Sequence, residues 1–368
     1  MKLLSFHPFS LYSNGGGNRI LRRLYLGREK NVSTLVVEGT PLKPHQGNID
    51  ETIIYASPLT RKWARWKLRN LLIWLRYNTF KPITIRKVQQ AAKKIQYDVL
   101  HVVQHGPFCA ALCTDKFIIN KQFWLSVHDH YTTTHTSFDD AKLLWNKADR
   151  RLVISDELGK EYRRLFGDYN YEIITDGVKA SEIKEPATTG SSPVIIYFAG
   201  LLHITYIPLF NVLADALDAL SKQGHSFQLI LRGTQRIPFL DNRLFATTYR
   251  EVSLNDAELK QELDSSDILY LPIKFSIPDF YLYSLSTKMV GYLGAPGAIL
   301  YHGPADSAAC HLLQQHNAAV CCGKLDADEL SIDILNLIAN KADIAANAKQ
   351  LAMERFDLQQ IQKRFWQE

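Results

Sequence analysis

Several short runs of this sequence gather residue types that can do chemistry. His128-Asp129-His130 closes the apolar run Leu125-Ser-Val. A histidine there can trade hydrogen bonds or a proton near neutral pH, and a carboxylate beside it can act as a base. His128 and Asp129 are therefore the catalytic candidates, with His101 and His105 at the end of an earlier apolar run as neighbours. Ser286-Thr287-Lys288 forms a polar turn opening a helical segment, where unpaired backbone N–H groups and a lysine suit a diphosphate. Arg232, just before Gly233, offers a guanidinium that forks onto phosphate oxygens. Gly15-Gly16-Gly17 follows the first apolar run and lets backbone approach a ligand closely. The glycines do not fit G-x-G-x-x-G, which counts against a nicotinamide cofactor. No Asp-x-Asp pair stands at a strand end, so no metal is expected.

These groups need a scaffold, and the chain is long enough for two domains: 368 residues, 46% hydrophobic and 22% charged. Short β-rich runs alternate with helical stretches at Lys2–Phe6, Thr34–Glu38, Val99–Val103, Phe123–Val127, Leu152–Ile154 and Tyr171–Thr175. A second series follows at Val194–Ala199, Gln228–Arg232, Ile268–Leu271, Ala298–Tyr301 and Ala318–Cys322. Such alternation predicts parallel sheets covered by helices, an α/β class. The polar segment 187–193 reads as a linker between a domain over 1–186 and a second over 194–350. Lys341 to Glu368 reads as one continuous helix, its last part, 351–368, crossing back to the first domain. Five cysteines without C-x-x-C spacing fit a reducing cytoplasm rather than a disulfide framework. No apolar run approaches the ~20 residues that span a bilayer, and the first residues read as a strand rather than a signal peptide.

The segment Ser284-Leu-Ser-Thr-Lys-Met-Val-Gly-Tyr-Leu-Gly-Ala-Pro-Gly297 resembles the Ser-Lys…Glu-Tyr-Leu-Ala-x-Gly-x-Pro pattern of glycosyltransferase family 4. Upstream, Asp264-Ser-Ser-Asp-Ile-Leu-Tyr-Leu-Pro272 is similar to that family's strand ending in proline. Arg151-Leu-Val-Ile-Ser-Asp-Glu-Leu158 and Ile173-Ile-Thr-Asp-Gly-Val178 resemble its scaffold strands. The resemblance implies the GT-B architecture, two Rossmann-like domains facing a central cleft. It implies a hexosyltransferase-like enzyme that moves a sugar from a nucleotide-sugar to an acceptor hydroxyl, with no cofactor beyond the donor. Carried over by position, Ser286, Thr287 and Lys288 hold the donor diphosphate, and His128 meets the donor sugar near the reacting carbon. Gly16 and Gly17 lie under the sugar-phosphate, and Val252, in the loop Glu251-Val-Ser253, touches the base through its backbone. The chain departs from the pattern at four places, one of them the absence of a lysine expected a few residues after Leu201. Gly291 stands where the family has a ribose-binding glutamate, and Tyr283 at that residue's acidic partner. Leu201 replaces a phosphate-binding arginine in Tyr197-Phe-Ala-Gly-Leu-Leu-His203. These losses keep open a catalytically silent GT-B-like subunit, and the fold also admits a sugar-nucleotide epimerase.

Between residues 61 and 87 nine lysines and arginines are interleaved with Trp63, Trp66, Trp74 and Tyr77, without an acidic residue. Such a segment suits an anionic membrane, with aromatics at headgroup level. The expected partners are thus a nucleotide-sugar, a glycan or lipid-linked acceptor, and a membrane surface, with no nucleic acid. The expected setting is polysaccharide or glycolipid assembly, cytoplasmic and peripheral to the inner face of the cell membrane.

Overall fold

Strands buried on both faces read as unbroken apolar runs, and those runs build two parallel sheets here. The computed structural model describes residues 1–13, 15–38, 47–56, 74–75, 79–186, 192–200, 202, 204–252 and 256–368. Asn14, Leu201, His203, Ser253, 187–191 of the linker, and 61–73 and 76–78 of the basic stretch lie outside them. The chain divides into unit 1, Met1–Thr175 with Arg364–Trp366, and unit 2, Asp176–Lys363 with Gln367–Glu368.

Unit 1 contains β1 (Leu3–His7), β2 (Val32–Glu38), β3 (Asp50–Tyr55), β4 (Val99–Val103), β5 (Gln122–Val127), β6 (Arg150–Val153) and β7 (Glu172–Ile173), in spatial order β3-β2-β1-β4-β5-β6-β7. All pairs are parallel. The chain leaves β1 toward β2 on one side and reaches β4 on the other, so the carboxyl ends of β1 and β4 form a topological switch point. Arg364–Trp366 packs with this unit. Phe365 sits against Tyr25, His101 and Trp124, and the Trp366 indole N–H donates to the Leu24 carbonyl at 2.8 Å.

Unit 2 contains β8 (Val194–Ala199), β9 (Phe227–Arg232), β10 (Ala246–Arg250), β11 (Ile268–Pro272), β12 (Ala298–His302) and β13 (Ala319–Cys322), in order β10-β9-β8-β11-β12-β13. Its switch point lies between β8 and β11. Alternation along β11 shows how the sheet is sandwiched. Ile268 and Tyr270 enter one apolar layer with Leu213 and Leu217 of the helix Ile207–Lys222, while Leu269 and Leu271 enter the other with Met289 and Leu293. Each fully buried leucine contributes about 2 kcal/mol. By composition the segment Ile204–Lys222 is apolar enough to cross a membrane. Its buried face, from Leu209 to Leu220, makes it a core helix of unit 2.

Three sequence expectations need correction. Strands β3 and β10 were not foreseen: each lies at a sheet edge, half-exposed, and carries polar residues that break the apolar signature. The carboxyl-terminal helix is not continuous. It stops at Arg355 and restarts at Leu358, because Val178 pairs with both sides of the break, donating to the Phe356 carbonyl at 2.6 Å and accepting from Leu358 N–H at 3.0 Å. Asp357 then caps the new helix by accepting from Gln360 N–H at 2.8 Å. Finally, residues 176–186 belong with unit 2: Lys184 N–H donates to Gly294 at 2.9 Å, so the division falls before the polar linker.

Candidate functional site

In unit 1 the candidate groups converge on the carboxyl ends of β1, β4 and β5. His7 ends β1, Gln104 follows β4 and His128 follows β5. His7 Nδ1 donates to the Phe9 carbonyl at 2.6 Å, which leaves Nε2 as a bare acceptor. Among the described residues, no protein group pairs with buried His7 Nε2, Gln104 Oε1 or His128 Nδ1. A buried polar atom left unmade costs about 1–3 kcal/mol, so three on adjacent strand ends mark a place built for hydrogen bonding to something else. Burial lowers His7 to about 4, and lowers His128 to about 3 with the neighbouring His105 and His7 adding to the effect. Both imidazoles are therefore neutral across the physiological range. In its neutral form His128 can accept or donate a hydrogen bond there.

Gly16 opens the helix Gly16–Tyr25, and Gly17 lies against His128. A Cβ on Gly17 would come within 2.7 Å of the Phe9 ring and 3.4 Å of His128 Nδ1. The structure thus brings Gly17 and His128 together, and shows why the loop needs glycine. Asp129, beside them, is half-buried. His101 is part of the scaffold: it is fully buried in a relay from Ser5 to the Tyr25 hydroxyl at 2.7 Å, to His101 Nδ1 at 2.8 Å, and from Nε2 to Ser126 at 2.7 Å. His105 packs edge-on to Phe9.

In unit 2 the carboxyl end of β8 carries Ala199-Gly200, and Lys288 reaches it from the helix Thr287–Leu293. Ser286 caps that helix, its hydroxyl accepting from Lys288 N–H at 3.2 Å. The Lys288 ammonium lies 4.4 Å from the centroid of the Phe198 ring, and a Cβ on Gly200 would come within 2.7 Å of it. Gly200 also has φ of +148°, a backbone conformation that strains any side chain. Among the described residues Lys288 has no carboxylate partner, and burial pushes its pKa down to about 8. A cation held in this way favours an anion that supplies the missing charge. Thr287 and Tyr283 are half-buried in the same stretch.

Arg232 is placed differently. Its Nε donates to Glu262 at 2.6 Å, its Nη2 to Glu262 at 2.6 Å and Glu258 at 2.7 Å, and its Nη1 to the Glu251 carbonyl at 2.6 Å. Hydrogen bonding to Glu262 raises its pKa further. The expectation of a phosphate-binding arginine gives way to a structural one, because two carboxylates already fill the fork. Arg232 holds the loop of Val252, whose exposed side chain lies 3.3 Å from the Cβ position of Gly233. Among the described residues no cluster of three His, Cys, Asp or Glu could hold a metal.

Sequence reasoning missed His7, Gln104 and the Gly200–Phe198 seat of Lys288. His7 could have been found, as a histidine directly ending the first strand; the Gly200–Lys288 contact joins residues far apart in sequence.

The two Rossmann-like parallel sheets, in these strand orders, are the GT-B fold. No family model and no curated protein matches the chain. Solved structures do. Anabaena HepE in complex with UDP and glucose is similar with a TM-score of 0.66 at 17% identity, over 100% of this chain and 98% of that one. An E. coli trehalose-6-phosphate structure bound with UDP-2-fluoro glucose gives 0.67 at 12%, over 100% and 98%. A glycosyltransferase from Rickettsia africae gives 0.65 at 13%, over 100% and 97%.

Proposed function

We propose that the protein is a glycosyltransferase that uses a nucleoside-diphosphate sugar, with a uridine diphosphate donor suggested by the UDP-sugars bound in HepE and the E. coli structure. The observation that carries this reading is Lys288, a partly buried ammonium with no carboxylate partner among the described residues, seated on the Phe198 ring beside Gly200. In the transfer, the bond from the sugar's anomeric carbon to the diphosphate oxygen breaks and one to the acceptor hydroxyl oxygen forms. Lys288 neutralises charge on the departing diphosphate, where electrostatic stabilisation gives the largest return. Ser286, Thr287 and Tyr283 line the same turn, and the Val252 loop takes the base. Gly16 and Gly17 let backbone approach the sugar-phosphate. His7, Gln104 and His128 accept hydrogen bonds from sugar hydroxyls, and Asp129 takes the acceptor's proton if the anomeric configuration inverts. The acceptor is a glycan or lipid-linked glycan in cell-surface assembly.

One observation favours a second reading, a silent subunit: Gly291 and Tyr283 stand where the family pattern places acids, and Arg232 is engaged by Glu258 and Glu262. Transfer of isotope-labelled hexose from UDP-hexoses to cell-envelope extracts, followed by mass spectrometry, separates the two. Labelled product that requires Lys288 supports the transferase; no transfer and no UDP release from any donor leaves the silent subunit.

A further inference from the structure

Lysines gather near the amino ends of the three strands whose carboxyl ends carry His7, Gln104 and His128. Lys2 precedes β1, Lys93 and Asp98 precede β4, and Lys121 immediately precedes β5, with Lys116 on the short helix Asp115–Ile118 between them. Together they line a hollow of about 690 Å³ at the amino ends of the sheet of unit 1. It lies a full strand, about 17 Å, from the histidines, so it is separate from the site described above.

The charge in this hollow is unbalanced. Lys93 and Lys116 both line the hollow, and the nearby Lys116 charge holds the Lys93 pKa below its ordinary value. Lys121 sits 5.6 Å from the Tyr97 ring centroid. Among the described residues Asp98 is the single acid lining it, and it accepts the Lys2 backbone N–H at 2.7 Å. Asp115, the nearest acid in sequence to Lys116, pairs with Lys147 at 3.3 Å. None of the four lysines has a carboxylate partner among the described residues. A helix C-terminus explains Lys93, which follows Lys81–Ala92. It does not explain Lys116, which a first helical turn disfavours. Two like charges held together are stabilised by an anion that bridges them, and a phosphate has the oxygens to take both ammonium groups.

We propose that this hollow is a second anion site, which binds a phosphate-bearing group between Lys93 and Lys116 with Lys2 and Lys121 at its rim. The group is either a free phosphorylated solute or a phospholipid headgroup. Exposed Ile119, 65% accessible and lining the same hollow, offers apolar contact to the lipid form. The site does not depend on the transferase reading.

The test uses the whole chain carrying Lys288→Met, alone and with either the double change Lys93→Ala/Lys116→Ala or its charge-keeping counterpart Lys93→Arg/Lys116→Arg. Circular dichroism checks that each folds, as expected for exposed lysines. Two probes are applied: inorganic pyrophosphate by calorimetry, and phosphatidylglycerol–phosphatidylcholine vesicles by co-sedimentation. With every variant built on Lys288→Met, which removes the anion site of unit 2, at least one probe should bind the otherwise unchanged chain and the arginine variant alike, and bind the alanine variant about tenfold more weakly, with the affinity falling as salt rises. Pyrophosphate binding identifies the free solute; binding to vesicles alone identifies the headgroup. Failure of both probes on the otherwise unchanged chain, or equal binding by the alanine variant, overturns the proposal.

Discussion

The carboxyl ends of β8 and β9 are neighbours in one sheet, and each presents a cation, yet the two are held in opposite ways. At β9, Arg232 is buried and meets Glu262, Glu258 and a backbone carbonyl, so every side of its fork is used. At β8, Lys288 rests on an aromatic face and the glycine beside it, with no carboxylate partner among the described residues. The same charge thus does two jobs. A cation whose partners are supplied by the fold fastens the fold, while one left without a carboxylate partner is open to an incoming anion. Residue type alone does not separate them; what surrounds them does.

The largest effect expected from this contrast is on turnover. Lys288→Met should lower kcat/KM by about a hundredfold or more, while thermal stability stays level or rises, because an unpaired buried charge is removed. A marked loss of stability in that variant would mean that Lys288 fastens the fold too. Arg232→Met should do the reverse in equilibrium denaturation, costing about 2 kcal/mol through the lost charge-assisted hydrogen bonds, with Glu262 keeping Arg250 and the Tyr197 hydroxyl. Unchanged stability there would erase the contrast. Gly200→Ala comes next, losing about 1–2 kcal/mol from its strained backbone. The double variant Gly200→Ala/Lys288→Ala should lose less than the sum of the single changes, since the clash with Lys288 is then gone.

The smallest effects are with pH. The folded pKa of Lys288, about 8, lies below its ordinary value, so between pH 8 and its unfolded pKa the unfolded chain binds more protons. Lys288 therefore makes stability rise with pH across that window, and anion affinity fall as pH passes 8. Lys288→Met should flatten both trends in titrations. For His7 and His128 the folded values are also depressed, to about 4 and about 3. Their contribution to stability is present above the ordinary histidine value and is lost as pH falls from there toward 3. Acid unfolding of His128→Gln should show a shallower loss over that range.

The sequence carried most of the fold because buried parallel strands such as Ile268–Leu271 and Val99–Val103 are apolar without interruption. It hid β3 and β10, whose edge positions permit Asp50, Glu51 and Arg250. Within the candidate site, Gly17 and His128 were legible as types at strand ends, and the structure sets one against the other. Arg232 was misread because Glu258 and Glu262 come from a helix some thirty residues away, 26 and 30 in sequence separation. The lowered pKa of His128 was not legible for a related reason: its burial depends on the whole sheet, and no local pattern records it.

The most direct test of the account is a thermal-shift titration of wild type and Lys288→Met with UDP and UDP-sugars. A ligand of the native state raises the melting temperature by mass action. A concentration-dependent rise is expected in wild type, nearly absent in Lys288→Met. No rise in wild type with any nucleotide, or an equal rise in both proteins, would contradict the assignment of Lys288 as the anion-binding group.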